Sequence, residues 1–330
     1  MKSPKPIVEV VSTGRYLPDR VLTNADLETM VETTDEWIRE RTGIRERRIA
    51  SDDMGAAEMG ARAARIAMER AGVLPGEIDI IVVSTATPDR LLPSTACDMQ
   101  ALLGATNAAA FDVSAACSGF LYALTVAEGY IAAGRGEIAL VVSTEKMSGI
   151  VDWEDRSTCV LFGDGAGAAI VRRAQNGRGV LSSFMRSDGT LAELLWRPAG
   201  GVKVPMDVAV LEEKAHLVKM AGREVFKAAV RSMAEAADQA LVRAGLTGED
   251  IDLLIPHQAN IRIIEATARY ANVPMEKVFV NVDRYGNMSS ATVPIALDEA
   301  VEQGRVKPGD NVLMVAFGAG FTWASGVIRW

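Results

Sequence analysis

The chain has 330 residues, 49% of them hydrophobic, with 35 basic and 43 acidic side chains for a net charge of −8. That length and apolar content can bury a large core, as one big domain or two closely joined halves, while the acidic balance disfavours general nucleic-acid binding. Three cysteines without framework spacing argue against a disulfide scaffold and fit a reducing compartment, and two histidines without Cys-x-x-Cys or His-Glu-x-x-His patterns supply no ready metal site.

In chain order, the opening "MKSPKPIVEVVSTG" lacks the apolar core of a leader, and no apolar run reaches the roughly 18 residues of a membrane span. A soluble cytoplasmic protein without membrane contact is expected. "TTDEWIRERTG" predicts a helix opened by a capping box, Thr33 standing three residues before Glu36, with Trp37 and Arg41 one turn apart. "AARIAMERAG" followed by "IDIIVVS" predicts a helix and then a buried strand. "STACDMQALLG" reads as a helix carrying Cys97. "AFDVSAACSGFLYAL" then runs from strand through small residues into a helix, with Cys117 at the junction and Gly134 past the helix end. Cys159 lies in the apolar "STCVLFGDG". The overlapping "FGDGAGAAI" is no phosphate-binding loop, because no Gly-Lys-Ser/Thr follows; its glycines suit close strand packing. "RRAQNGRG" is a seam, and residues from about 180 to 215 read as loop and cover. Beyond it, "AADQALVRAG" and "IDLLIP" repeat the helix–strand pattern, His257 ends that strand, and "DRYGNMSSATVPIAL" places Asn287 after Gly286 and before a helix that tolerates Pro294 in its first turn.

An internal duplication organises these elements. "AGVLPGEIDIIVVS" (71–84) matches "AGLTGEDIDLLIPH" (244–257) without a gap at an offset of 173, and the same offset lays "GEIALVVS" on "GDNVLMVA". The pattern predicts an α/β fold of two duplicated halves, residues 1–175 and 176–330, with helix-covered sheets. Adding 173 carries Ser84 onto His257 and Ser114 onto Asn287. Cys117, His257 and Asn287 can then meet where the halves face each other at strand ends, the usual place for ligands in such folds.

Singly, each of these three has an ordinary reading. A buried cysteine often fills space, a strand-end histidine is often a satisfied core residue, and an asparagine after glycine is a turn residue. Cys97 and Cys159 keep the filler reading. Cys117 departs from it by position, since a thiol at a helix N-terminus is expected to favour thiolate and act as a nucleophile.

Taken together, the three residues resemble the Cys-His-Asn triad of decarboxylating condensing enzymes of the thiolase superfamily, and the chain most resembles β-ketoacyl-acyl-carrier-protein synthase III. The resemblance runs over essentially the whole chain through "TNADLETMVETTDEWIRERTGIRERRIA", "DVSAACSGF", "FGDGAGAAI", "PHQANIRII", "GNMSSAT" and "FGAGFTWASG". It implies a thiolase-like, five-layered αβαβα fold, a homodimer, an acyl-CoA primer, a malonyl-acyl carrier protein extender and no cofactor beyond the CoA thioester substrate. It implies Cys117 as nucleophile, His257 and Asn287 as donors to the malonyl enolate, and the backbone N–H groups of Cys117 and Ala319 as an oxyanion hole. Ala319 stands where the family often has the middle of three glycines. Trp37 and Arg156, with Arg41 a turn away from the tryptophan, correspond to a CoA-adenine site; Lys227 and Arg262 correspond to a basic patch for the acidic carrier protein. Leu92 corresponds to a position that helps close the acyl pocket, where a leucine leaves room for primers longer than acetyl.

A degradative thiolase requires a second cysteine near the C-terminus, and none follows Cys159. Hydroxymethylglutaryl-CoA synthases and plant-type polyketide synthases share the nucleophile but fit "TDEWI" and "GFTWASG" less well. A papain-like hydrolase lacks its glutamine-bearing segment here, and a silent scaffold has no need of all three residues. A relative that handles an unusual acyl chain in specialised metabolism stays open.

Overall fold

The computed structural model describes residues 6–330; the first five residues of the stretch read for a leader lie outside the described residues. The first sheet contains β1 (Val8–Tyr16), β2 (Ile80–Ser84), β3 (Ala109–Val113), β4 (Ile138–Lys146) and β5 (Asp164–Arg173), in the order β1-β5-β4-β2-β3. The second contains β6 (Gly179–Ser187), β7 (Leu253–Pro256), β8 (Asn311–Gly318) and β9 (Thr322–Arg329), in the order β7-β8-β9-β6. In each sheet one strand runs antiparallel to its neighbours, β5 in the first and β9 in the second.

The longer helices, of eight residues or more, are α1 (Asp35–Thr42), α2 (Ala56–Ala71), α3 (Thr95–Leu103), α4 (Gly119–Ala132), α5 (Gly222–Ala244), α6 (Ile261–Tyr270) and α7 (Thr292–Glu302). Side chains alternate across each strand, and the central strands are apolar on both faces because helices cover both. Ile80 and Val82 of β2 pack inward with Phe120 and Leu124 of α4 and Val293 and Leu297 of α7, together with Ile255 and Val312 of the second sheet. Ile81 and Val83 pack outward with Ala63 and Ala67 of α2 and Met99 of α3. On the far side, Leu313 and Val315 of β8 pack with Met233 and Ala237 of α5 and Ile264 of α6. The result is the five-layered αβαβα arrangement, with α4 and α7 as the shared middle layer.

Residues 173 apart recur in local detail. Gly72 and Gly245 close α2 and α5 in left-handed conformations at φ 64° and 68°. Asp79 accepts from the N–H groups of Glu137 and Ile138, as Asp252 does from Asn311. The α4 and α7 helices begin 173 residues apart, at Gly119 and Thr292.

Two expectations are corrected. The cap of α1 is Thr34, whose hydroxyl accepts from Trp37 N–H at 3.1 Å, not Thr33. The chain extends through Thr34 and only then turns into the helix. Residues 180–187, expected as loop and cover, belong to β6. A bulge opposite Val327 and Ile328 breaks the strand's alternation, and its serines hide the apolar signal of Val180, Leu181 and Phe184.

The glycines of "FGDGAGAAI" bring the middle layer close to β5: a Cβ on Gly167 would lie 2.8 Å from Pro294 Cβ, and one on Gly165 2.8 Å from Met288 Sδ. Gly167→Val is therefore expected to cost about 1–3 kcal/mol by overpacking in urea unfolding, whereas Gly189→Ala, in open space, should stay within about 0.5 kcal/mol of the parent.

Candidate active site

After β3 the chain must reverse into the middle layer within a few residues, and Ala116 does this at φ 45°, left-handed and costly for a residue with a Cβ. Cys117 follows within the short 3₁₀ turn Ala116–Ser118 that leads into α4. Before α7, Ser289 adopts φ 47° and opens the matching turn Ser289–Ala291. The two turns face each other, and the Cys117 thiol donates to Ser289 Oγ at 3.6 Å. Gly318, the last residue of β8, closes a third side. A Cβ there would fall 2.5 Å from Cys117 N, so no larger residue permits the approach.

The expected helix-stabilised thiolate is not what this environment favours. Burial pushes the Cys117 thiol up to about 12; the hydrogen bond between Cys117 and the Ser289 side chain opposes that shift and the Glu145 carboxylate adds to it. A helix terminus contributes at most ~2 kcal/mol in partly buried settings, less than the several kcal/mol that burying a charge costs. Glu145 is itself fully buried, accepting from Ser290 Oγ at 2.7 Å, Ala86 N–H at 2.9 Å and Thr87 Oγ1 at 2.9 Å.

His257 extends β7, its N–H donating to Val315 O at 2.7 Å. Buried Gln258 fixes the loop that follows, donating to Pro256 O and Phe279 O and accepting from Asn281 N–H. The His257 ring Nδ1 lies 2.6 Å from Thr292 Oγ1, and burial holds the ring's pKa down to about 3, so the imidazole is neutral at physiological pH. Asn287 is pinned against residues 161–163: its N–H donates to Leu161 O at 2.8 Å and its carbonyl accepts from Gly163 N–H at 3.0 Å. Its side-chain Oδ1 accepts from Ser289 N–H at 2.8 Å, which fixes the amide's orientation and assigns Nδ2 as the donor available to a ligand.

Cys117, His257 and Asn287 line one cavity of about 120 Å³, with Phe226, Asn260 and Gly318 among its other walls. A second cavity of about 350 Å³ reaches Cys117 from another side, past Met147, Ile150, Trp196, Val218 and Ala319. The thiol is thus approached from two directions, both largely apolar, and the smaller cavity carries the side chains of His257 and Asn287. A more open cleft of about 960 Å³ is lined by charged groups such as Asp53, Glu58, Arg90 and Lys146 and includes none of the three.

The structure gathers Trp37, Arg41 and Arg156: the two guanidinium groups lie 4.8 and 4.7 Å from the indole centroid, and Arg156 donates to Glu32 O. A base stacking on Trp37 at that face must displace Arg156. Lys227 is exposed on α5 next to Phe226 in the chain, and the Arg262 guanidinium lies 5.2 Å from the ring of Phe226, itself a wall of the smaller cavity; neither cation lines that cavity. Leu92 stands apart from both cavities. It is 86% exposed on the loop after β2 and lines neither of the cavities of its own chain that reach Cys117. Ser289, Thr292, Gly318 and Glu145 were not singled out from the sequence, although the offset of 173 maps Ala116 to Ser289 and Gly119 to Thr292.

The family model of 3-oxoacyl-[acyl-carrier-protein (ACP)] synthase III matches residues 111–189, and its C-terminal model matches residues 241–330. A beta-ketoacyl-[acyl-carrier-protein] synthase III from Caldanaerobacter subterraneus subsp. tengcongensis is 52% identical over 321 residues, covering 97% of each chain. The chain belongs to the synthase III family. The solved synthase III of Aquifex aeolicus is 49% identical and superposes with a TM-score of 0.91, covering 98% of this chain and all of that one. The priming β-ketosynthase of the R1128 polyketide pathway is 39% identical, with a TM-score of 0.92 over all of this chain and 98% of that one. Membership makes the chain an acyltransferase of the ketoacyl-synthase kind, acting in fatty acid synthesis on a thiolase-like fold, as expected from the sequence.

A synthase III whose thiol is held protonated by burial is expected to react with iodoacetamide at Cys117 at a rate that keeps rising from pH 6 to 10. Peptide mass mapping at each pH reads this, and a plateau by pH 8 would show that the thiolate is already formed.

Proposed function

We propose that this synthase III joins an acyl-CoA primer to malonyl-acyl carrier protein through an acyl-Cys117 intermediate; the observation that carries the reading is the convergence of Cys117, His257 and Asn287 on one cavity. In the first half-reaction the Cys117 proton passes to His257, sulfur attacks the thioester carbonyl, and the bond from that carbonyl to CoA sulfur breaks, releasing CoA. In the second, malonyl thioester loses CO2, and the enolate oxygen is met by His257 and by Asn287 Nδ2 as donors. The enolate carbon attacks the acyl-Cys117 carbonyl. The tetrahedral oxyanion rests on the N–H groups of Cys117 and Ala319, and its collapse returns the thiolate, which recovers a proton from His257. No cofactor beyond the thioester substrates takes part.

The CoA adenine stacks at Trp37 with Arg156 and Arg41, planar cationic groups suited to it. Lys227 and Arg262 receive the acidic carrier protein, offsetting the repulsion that a net charge of −8 would produce. The halves 1–175 and 176–330 each contribute one wall of the site. A cytoplasmic homodimer fits the exposed pair Leu91 and Leu92, 83% and 86% accessible, beside the edge strand β3 with its outward Phe111. The apolar cavity of about 350 Å³ suits primers longer than acetyl. Its size, with the resemblance to the R1128 priming ketosynthase, favours a second reading in which the primer is an unusual acyl chain; a panel of straight and branched acyl-CoAs decides, and strict acetyl-CoA preference excludes it.

Intact-mass detection of the acyl-enzyme, alongside CO2 release from labelled malonyl thioester, separates the half-reactions. Cys117→Ala should form no acyl-enzyme yet retain decarboxylation. Asn287→Ala should acylate but fail to decarboxylate, and His257→Ala should lose both, each by about 10²-fold or more. Full acylation by His257→Ala would remove the histidine from the first step.

Arg262→Glu should harm use of malonyl-carrier protein more than use of malonyl-CoA, with a gap that narrows at high salt as screening shortens the reach of the charge. Equal losses with both donors would mean that Arg262 acts inside the site or on folding.

A further inference from the structure

The histidine of the site has a partner whose own bonding is already committed. Thr292, the first residue of α7, is fully buried, and its hydroxyl donates to Ser289 O at 3.1 Å. A hydroxyl carries one proton. With that proton given to Ser289, Thr292 Oγ1 can meet His257 Nδ1, 2.6 Å away, only as an acceptor, and the ring nitrogen must then be the one that bears hydrogen.

We propose that Thr292 is a positioning residue that holds His257 in its Nδ1–H tautomer, so that Nε2 presents a lone pair to the cavity it shares with Cys117. The inference deepens the condensing reading and rests on it for its consequence, though not for its geometry. It assigns His257 one state for each half-reaction without moving the Nδ1 proton. In the free enzyme Nε2 is bare and accepts the Cys117 proton. In the acyl-enzyme Nε2 carries that proton and becomes a donor to the enolate oxygen, while Nδ1–H stays on Thr292. When the tetrahedral intermediate expels Cys117 sulfur, the proton returns from Nε2 to sulfur and the original tautomer is restored. The cycle leaves one proton to be taken from solvent by the departing CoA thiolate, matching the proton that a decarboxylative condensation consumes.

The same short turn joins both reactive groups. Ser289 takes the Cys117 thiol on its side chain and the Thr292 hydroxyl on its carbonyl, so the positions of nucleophile and base are fixed by one piece of backbone. Burial keeps the resting imidazole neutral, which makes its tautomer, rather than its charge, the variable that decides what it can do.

The test uses nitrogen NMR of histidine-labelled protein in which His216→Gln leaves His257 as the single histidine, since the chain has only two. The expected spectrum shows a protonated Nδ1 and a bare Nε2. Thr292→Val, which removes the acceptor while keeping the shape, should shift His257 to Nε2–H and slow acyl-enzyme formation by about 10²-fold, with KM for acyl-CoA unchanged. Thr292→Ser should keep the Nδ1–H spectrum and restore acylation. An Nε2–H spectrum in the parent, an unshifted tautomer in Thr292→Val, or equal acylation rates in Thr292→Val and the parent would each overturn the proposal. The NMR arm needs no substrate. Nδ1–H in a chain that accepted no acyl group would count against the condensing reading while supporting the tautomer assignment.

Discussion

Everything at the site depends on two left-handed residues meeting across the middle layer. Ala116 and Ser289, at φ 45° and 47°, are not glycines, so each turn holds only because the packing around it over-determines its conformation. That packing is the duplicated core itself: α4 and α7 start from these turns and fill the space between the sheets with Phe120, Leu124, Val293 and Leu297. The hydrophobic interior therefore sets the place where Cys117 and Ser289 touch.

Burial then sets the electrostatics. A thiol and an imidazole shielded from water are both driven toward their neutral forms, upward to about 12 for Cys117 and downward to about 3 for His257. Such a pair stores no separated charge at rest. In the proposed chemistry, charge appears only as substrate arrives, where fixed donors already stand, which is the condition under which a dry site stabilises a developing anion without reorganising. Asn287 illustrates the point, because Ser289 N–H commits its oxygen and leaves the amide nitrogen as a donor before any ligand is present.

Much of the fold was legible because the chain repeats itself. The offset of 173 fixed the correspondence of β2 with β7 and of β4 with β8, and periodicity separated helices from strands. The strand β6 was missed because serines and a bulge blur its alternation. In the second half the counterpart of β3 is reduced to a single bridge between Leu254 and Val278, a difference that no residue pattern announced. At the site, Cys117, His257 and Asn287 were visible from type and position. Thr292 and Ser289 look like ordinary helix-start residues in sequence, and their significance lies in which side chain each faces across more than thirty intervening positions. The thiol's state was misjudged because a helix terminus can be read from a sequence, whereas the depth of burial that outweighs it cannot.

The claim that close backbone contact between the halves positions the nucleophile is tested most directly at Gly318, whose missing side chain lets β8 reach Cys117 N. The decisive measurement is the rate of acyl-enzyme formation in Gly318→Ala, by rapid quench and intact mass, on protein whose near-ultraviolet circular dichroism matches the parent. A displacement of the thiol by even ~1 Å should slow acylation by about 10²-fold. An unchanged rate in the folded variant would show that the approach of β8 does not govern where Cys117 sits.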